Sequence, residues 1–180
     1  MNTLRNLLAF AREHKPERTY ISINDTVEAT LALRDYEMKV NNLEVVKELQ
    51  VDLPRTMADS SQLQQVFFNI ALNAEQAMTE AHGRGTLTVR TRQVRDFIRI
   101  TFADDGPGIP KENLAKIFNP FFTTKPPGKG TGLGLAVCYG IVHEHGGAIR
   151  GDSQVGRGAT FTVELPMVAE DSATARRSEP

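Results

Sequence analysis

DSSQLQQVFFNIALNAEQAMTEA, residues 59–81, decides how this chain is read. Leu63, Phe67, Ile70, Ala74, Ala77 and Met78 recur at the spacing that lines one face of an α-helix, and Asp59 stands where a side-chain oxygen caps the first turn. Asn69 and Asn73 lie four apart on the same segment, so both carboxamides project from one side, next to the apolar face. A solvated helix surface is one reading of the pair. The other is a cation site, because neutral oxygens suit Mg²⁺, which keeps several waters and takes only one or two protein oxygens.

Outward from this helix, YISI at 20–23 reads as a short strand, Asn24 as the N-cap of a helix running to about Met38, and LEVVKEL at 43–49 as a second strand. TLTVRTRQV and FIRITFAD alternate apolar with polar residues, and the intervening Arg-Asp marks an antiparallel hairpin. Residues 105–132, rich in Gly, Pro, Lys and Thr, describe a long functional loop with one short helix near 111–118. A helix at 133–145 and the strands AIRGDS and ATFTVEL complete the pattern. An amphipathic helix at 3–13 precedes it, and 167–180, with no apolar period, reads as a tail or linker.

Composition bounds the possibilities. The chain has 180 residues, 40% hydrophobic and 24% charged, which is enough for one core and too little for two full domains. Its formal net charge of -1 supplies no global field for nucleic acid or anionic lipid, so any anion must be held locally. The one cysteine, Cys138, sits in the apolar run LGLAVCYGIV and reads as a buried residue in a reducing compartment. No signal peptide or long apolar span is present, which places this piece in the cytoplasm and leaves a membrane-anchored parent open.

Three further segments carry chemistry. Asp104 ends FIRITFAD and is followed by DGPGI, so a carboxylate leaves the sheet where glycines permit a tight turn; there it can accept from the exocyclic amine of adenine, or it can be an ordinary turn residue. GKGTGLGL at 128–135 places glycines directly before a helix, the geometry in which backbone N–H groups meet phosphate. IFNPFFTTK before it joins Phe118, Phe121 and Phe122 to Lys125; Phe118 is balanced between core and site, while Phe121 and Phe122 read as a hinge or docking surface. GRGATF at 156–161 reads as a hairpin turn, or as Gly158 and Thr160 at the edge of a base.

In this order the Asn box, DxGxG, Phe-rich box, GxGLGL and GxGxT resemble the ATP-binding catalytic domain of sensor histidine kinases, which shares its Bergerat-type fold with type II topoisomerases, heat-shock 90 chaperones and mismatch-repair ATPases. The resemblance covers about residues 20–166. It implies ATP and Mg²⁺ as cofactors, with Asn73 holding the metal and Asn69 assisting. Asp104 would read adenine beside Gly106, Gly108, Ile109 and Thr160. Phe118, Lys125, Gly130, Thr131, Gly132, Leu133, Gly134 and Leu135 would belong to a mobile lid over the phosphates. Many members carry Lys or Arg where this chain has Gln76, which puts one phosphate contact in question. The related ATPases carry a water-activating Glu where this chain has Asn69, and Asn has no useful pKa for that task.

The expected fold is α+β, a two-layer sandwich with a mixed, mainly antiparallel sheet of about five strands on three helices. Residues 1–18 are expected to end a dimerisation hairpin's second helix and link it to the catalytic domain at 19–166, with 167–180 as the tail. None of His14, His82, His143 or His145 resembles the family's phosphoacceptor; His143 and His145 read as capping or exposed residues at a helix end. The expected activity is transfer of the γ-phosphate to a histidine on the dimerisation domain of the same kinase, for relay to the receiver domain of a response regulator. The parent is expected to be homodimeric. A water-using ATPase and a nucleotide-gated interaction module are the alternatives.

Overall fold

A computed structural model describes residues 17–126, 128 and 130–169. The expected helix at 3–13 and most of the tail lie outside them. The strands are β1 (Thr19–Ile21), β2 (Leu43–Leu49), β3 (Thr56–Ala58), β4 (Gly85–Val94), β5 (Phe97–Asp104), β6 (Ala148–Ser153) and β7 (Ala159–Pro166). The helices are α1 (Ile23–Ala32), α2 (Asp35–Val40), α3 (Ser60–His82), α4 (Lys111–Leu114) and α5 (Gly134–Glu144). Five strands form one sheet in the order β2-β4-β5-β7-β6, antiparallel except for the parallel β2–β4 pair, and β1 and β3 pair antiparallel beside it. The expected mixed sheet under helices is therefore present, with an additional two-stranded ribbon.

The sheet buries one face because its strands alternate. Leu87 and Val89, Ile98, Ile100 and Phe102, and Phe161, Val163 and Leu165 point inward, while Arg99, Arg150 and Glu164 pair on the opposite face. α3 lies over this apolar layer with α1 and α5 beside it, and Leu63, Val66, Phe67, Ile70, Ala71, Ala74 and Met78 are buried along its length. Phe67 meets Phe102 at a centroid separation of 5.7 Å. Burying a side chain of this size stabilises by about 1.5–3 kcal/mol, so the helix is held by its packed face and not by its propensity. Asp59 caps it as expected, its Oδ1 accepting from Gln62 N–H at 3.0 Å, and Gly83 at φ 63° ends it.

Several expectations need correction. Ser22, not Asn24, caps α1, accepting from Asp25 N–H at 3.2 Å. Asn24 instead donates to the Gln50 carbonyl and accepts from Thr91 Oγ1, tying the helix to the sheet. The single helix to Met38 breaks at Leu33–Arg34, where Arg34 turns to meet buried Glu75 on α3. β3 was not expected, and the helix near 111–118 is only the four residues of α4. His145 caps the end of α5, as one of its two readings had it, but it is buried rather than exposed, and burial lowers its pKa. Met167 and Val168, read as the start of the tail, donate to Asp96 O and Thr56 Oγ1.

Candidate functional site

Asn69 and Asn73 sit half-buried on α3, and the structure brings the first of them to the glycine-rich segment: Asn69 Nδ2 donates to the Gly134 carbonyl at 3.3 Å. That bond joins the Asn stripe to the start of α5 through the amide nitrogen and does not use the Asn69 carbonyl oxygen. A Cβ on Gly134 would stand 3.8 Å from Asn69 Cγ, so the approach is close without being strained. Among the described residues no cluster of three or more His, Cys, Asp or Glu could hold a metal alone. The donor set fits Mg²⁺ only as one or two amide oxygens completed by phosphate and water. Gln76 continues the stripe, and its Oε1 accepts from the Lys125 ammonium.

α5 begins without a side-chain cap: Leu133 occupies the cap position and no acidic residue lies in the first turn. Its first backbone N–H groups therefore have no partner within the helix and present partial positive charge. Thr131 Oγ1 accepts from Leu133 N–H at 3.3 Å, while Leu135 packs half-buried against the core. Just before, Gly132 at φ 65° lies against Phe121, whose N–H donates to the Gly132 carbonyl at 2.9 Å. A Cβ on Gly132 would fall 2.3 Å from the Phe121 carbonyl carbon, so only glycine lets the Phe-rich box close on the glycine-rich loop. Phe118 and Phe122 pack against the core, whereas Phe121 is 71% exposed; only Phe121 keeps the docking-surface reading.

At the other end, Asp104 Oδ1 accepts from Gly106 N–H at 3.0 Å and Ala159 N–H at 3.2 Å. Burial raises this carboxyl above its ordinary range, the two N–H groups oppose that rise, and Asp105 adds to it. The turn at 105–109 is locked to the β6–β7 hairpin, since Ile109 N–H donates to Ser153 Oγ at 2.7 Å, Ser153 Oγ donates to Gly158 O at 2.7 Å, and Gly156 N–H donates to Pro107 O at 2.8 Å. Gly158, at φ 82°, brings its Cα so close that a Cβ would stand 1.8 Å from Asp104 O. Thr160 pairs with Ala103 in the β5–β7 ladder, Gly106 is buried, and Gly108 takes φ 75°.

Ser153 was missed by the sequence reading, although its place at the end of a strand before Gly-Arg-Gly is the signal that would have found it. Cys138 is buried as expected, its thiol pushed up to about 12 by burial, and it contacts Val66 O behind Asn69. An open cleft of about 640 Å³ lined by Glu44, His82, Arg84, Thr86 and Asp105 touches this site only at Asp105. It shares none of the Asn, Gly134 or Asp104 contacts and is not the site described here.

Residues 58–169 match the family described as histidine kinase-, DNA gyrase B-, and HSP90-like ATPase. The chain is 38% identical to the sensor kinase CckA of Brucella abortus (strain 2308) over 93% of its own length and 19% of that protein. It is 38% identical to the signal transduction histidine-protein kinase AtoS of Escherichia coli (strain K12) over 95% of its length and 28% of that protein. The chain thus spans less than a third of these relatives. Among solved structures, the catalytic domain of histidine kinase ThkA superposes with a TM-score of 0.75 at 31% identity, covering 85% of this chain and 99% of that one. ShkA in complex with AMPPNP superposes at 0.80 with 25% identity over 92% and 36% of the chains, and ThkA in complex with the response regulator TrrA at 0.76 with 26% identity over 92% and 46%. With the asparagine stripe, the half-buried aspartate and the uncapped glycine-rich helix start already placed, this chain belongs to the histidine kinase-, DNA gyrase B-, and HSP90-like ATPase family, as a catalytic ATP-binding domain of the sensor histidine kinase kind.

Proposed function

We propose that this chain binds Mg-ATP between Asp104, the Asn69–Asn73 stripe and the start of α5, and donates the γ-phosphate to a histidine on a dimerisation domain, from which a response-regulator aspartate takes it. The contact that carries this reading is Asn69 Nδ2 to Gly134 O, because it brings the asparagine stripe against the helix start whose first N–H groups have no side-chain cap. AMPPNP and a response regulator occur in complexes of two similar kinases, which supports ATP and a receiver domain as partners here.

In this reading the free lone pairs of the Asp104 carboxylate accept from the exocyclic amine of adenine, with Gly106, Gly108, Ile109 and Thr160 beside the base. The backbone at Gly130–Leu135 and the Lys125 ammonium neutralise phosphate charge, and the carbonyl oxygens of Asn73 and Asn69 hold the metal. A bound Mg²⁺ supplies charge neutralisation at the phosphate oxygens. Asn69 has no proton-accepting pKa, so water is a poor acceptor and a positioned imidazole the better one. That imidazole must be neutral, so transfer by an intact kinase weakens at acid pH. No described helix is long and apolar enough to cross a membrane, and we place the domain in the cytoplasm within a homodimeric parent that binds no nucleic acid.

The test is calorimetric titration with ATP with and without Mg²⁺, followed by incubation with γ-labelled ATP and a helical hairpin bearing an acceptor histidine. Mg-dependent binding that disappears in Asn73→Ala, and acid-labile phosphohistidine on the hairpin, are expected. Steady phosphate release by the chain alone indicates an ATPase. Tight ATP binding without phosphohistidine indicates an interaction module.

A further inference from the structure

We infer that Gln76 is a positioning residue which holds the Lys125 ammonium one helical turn from Asn73, so that the pair reads the polyphosphate of a nucleotide and not its adenosine part. This rests on the ATP-binding reading above. Asn69, Asn73 and Gln76 follow one another at four and three residues along α3, and a rise of about 1.5 Å per residue sets Gln76 roughly 4.5 Å beyond Asn73 on the same side.

Lys125 is held from three directions. Its ammonium donates to Gln76 Oε1, and its backbone N–H donates to Thr123 Oγ1 at 3.1 Å. The chain folds back over its stem at Gly130, where an added Cβ would stand 2.5 Å from Thr123 Oγ1 and 3.1 Å from Lys125 Cβ. Such support fixes a long side chain that otherwise has four free rotors.

The electrostatics of the pair are incomplete without an anion. Lys125 is half-buried, and burial lowers its pKa. Among the described residues no carboxylate forms an ion pair with it; Glu80, exposed and one turn beyond Gln76, acts on it only at long range. A neutral amide oxygen holds a partly desolvated ammonium without pairing its charge, where a Glu at the same position would pair with it. The stripe thus places the lysine's charge, unpaired with any carboxylate among the described residues, one turn beyond the amide oxygen of Asn73.

The experiment measures binding of ATP, ADP, AMP and adenosine with Mg²⁺ to the full chain, in wild type, Gln76→Leu, Gln76→Glu, Lys125→Met and the Gln76→Leu/Lys125→Met double variant. Lys125→Met is expected to weaken ATP by about tenfold or more, the equivalent of one charge-assisted hydrogen bond, with AMP and adenosine within about twofold. Gln76→Leu should weaken ATP in wild type and add nothing in the Lys125→Met background, and Gln76→Glu should weaken ATP further than Gln76→Leu. Retained adenosine binding reports that each variant folds. Equal losses for ATP and adenosine, or additive losses in the double variant, overturn the inference while leaving ATP binding intact. A wild-type chain that binds none of the four ligands removes both readings.

Discussion

The backbone N–H of Asp59 donates to Nε2 of His145 at 3.1 Å, and Nδ1 of the same ring lies 2.8 Å from the Ile141 carbonyl. The ring must therefore be neutral, with its proton on Nδ1, because a protonated Nε2 would face the Asp59 N–H donor to donor. Burial lowers the His145 pKa first; the Ile141 carbonyl, Asp59 and Glu144 oppose the shift, and Arg18 reinforces it. The Asp59 carboxylate also accepts from Glu17 N–H, so this contact ties the start of the domain to α3 and to the end of α5. Below pH about 6.5 the unfolded chain takes up a proton that the folded ring refuses, so stability is complete above that pH and lost as pH falls toward the depressed value. Denaturant midpoints measured from pH 7.5 to 5.5 should fall in wild type and flatten over this window in His145→Gln; parallel curves would acquit His145.

Arg34 makes a two-pronged ion pair with Glu75, with Nη2–Oε1 at 2.8 Å and Nε–Oε2 at 3.1 Å, and Asn41 Nδ2 adds a third donor. Glu75 is 4% exposed. Removing only the cation strands a buried carboxylate, so Arg34→Ala should cost about 3–5 kcal/mol, while Arg34→Met with Glu75→Leu should cost much less. Urea unfolding of the two variants distinguishes these outcomes.

Gly158 and Gly156 both have positive φ, 82° and 79°, but their surroundings differ. A Cβ at Gly156 meets open space, so Gly156→Ala should cost only the backbone term of about 1–2 kcal/mol. At Gly158 the same atom collides with the Asp104 carbonyl, adding overpacking of about 1–3 kcal/mol or more and displacing the carboxylate. Thermal melts should separate the two, and ATP affinity should fall only in Gly158→Ala.

Asp104→Ala leaves the N–H groups of Gly106 and Ala159 without their acceptor, a loss of about 1–3 kcal/mol for each buried group. Asp104→Asn can keep Oδ1 against both N–H groups but replaces the second oxygen, the acceptor offered to adenine, with an N–H donor. Calorimetry with ATP and GTP should show the asparagine variant folded, with its preference for ATP over GTP reduced about tenfold or more. An unchanged ratio would remove Asp104 from base recognition.

The core helix was legible because its information is local. Asp59 caps the turn it begins, and residues at helical spacing from Leu63 to Met78 are the ones buried. The hairpin at Arg95-Asp96 was legible for the same reason, since alternation switches faces on either side of it. Asn24 misled because the same side chain that can cap a helix can also bond a distant strand, and here Gln50 and Thr91 took it. β3 spans three residues, too few for a period, and exists because β1 pairs with it. For His145 the helix end was legible but not the burial, because a capping residue can face solvent or the interior and only packing chooses.

By itself the amino-acid sequence determined the elements with a strong period, the order of the glycine-rich and asparagine segments, and hence the family and its ATP-binding character. The tertiary structure alone decided that β2 runs parallel to β4, that the helix expected to run to Met38 breaks at Arg34, which reaches Glu75, and that Gln76 takes the lysine of a segment nearly fifty positions away. The physical reason is the same in each case. Periodicity and capping are interactions within one or two turns, written in neighbouring residues, whereas a partner chosen across the fold depends on where the packed core brings two surfaces together.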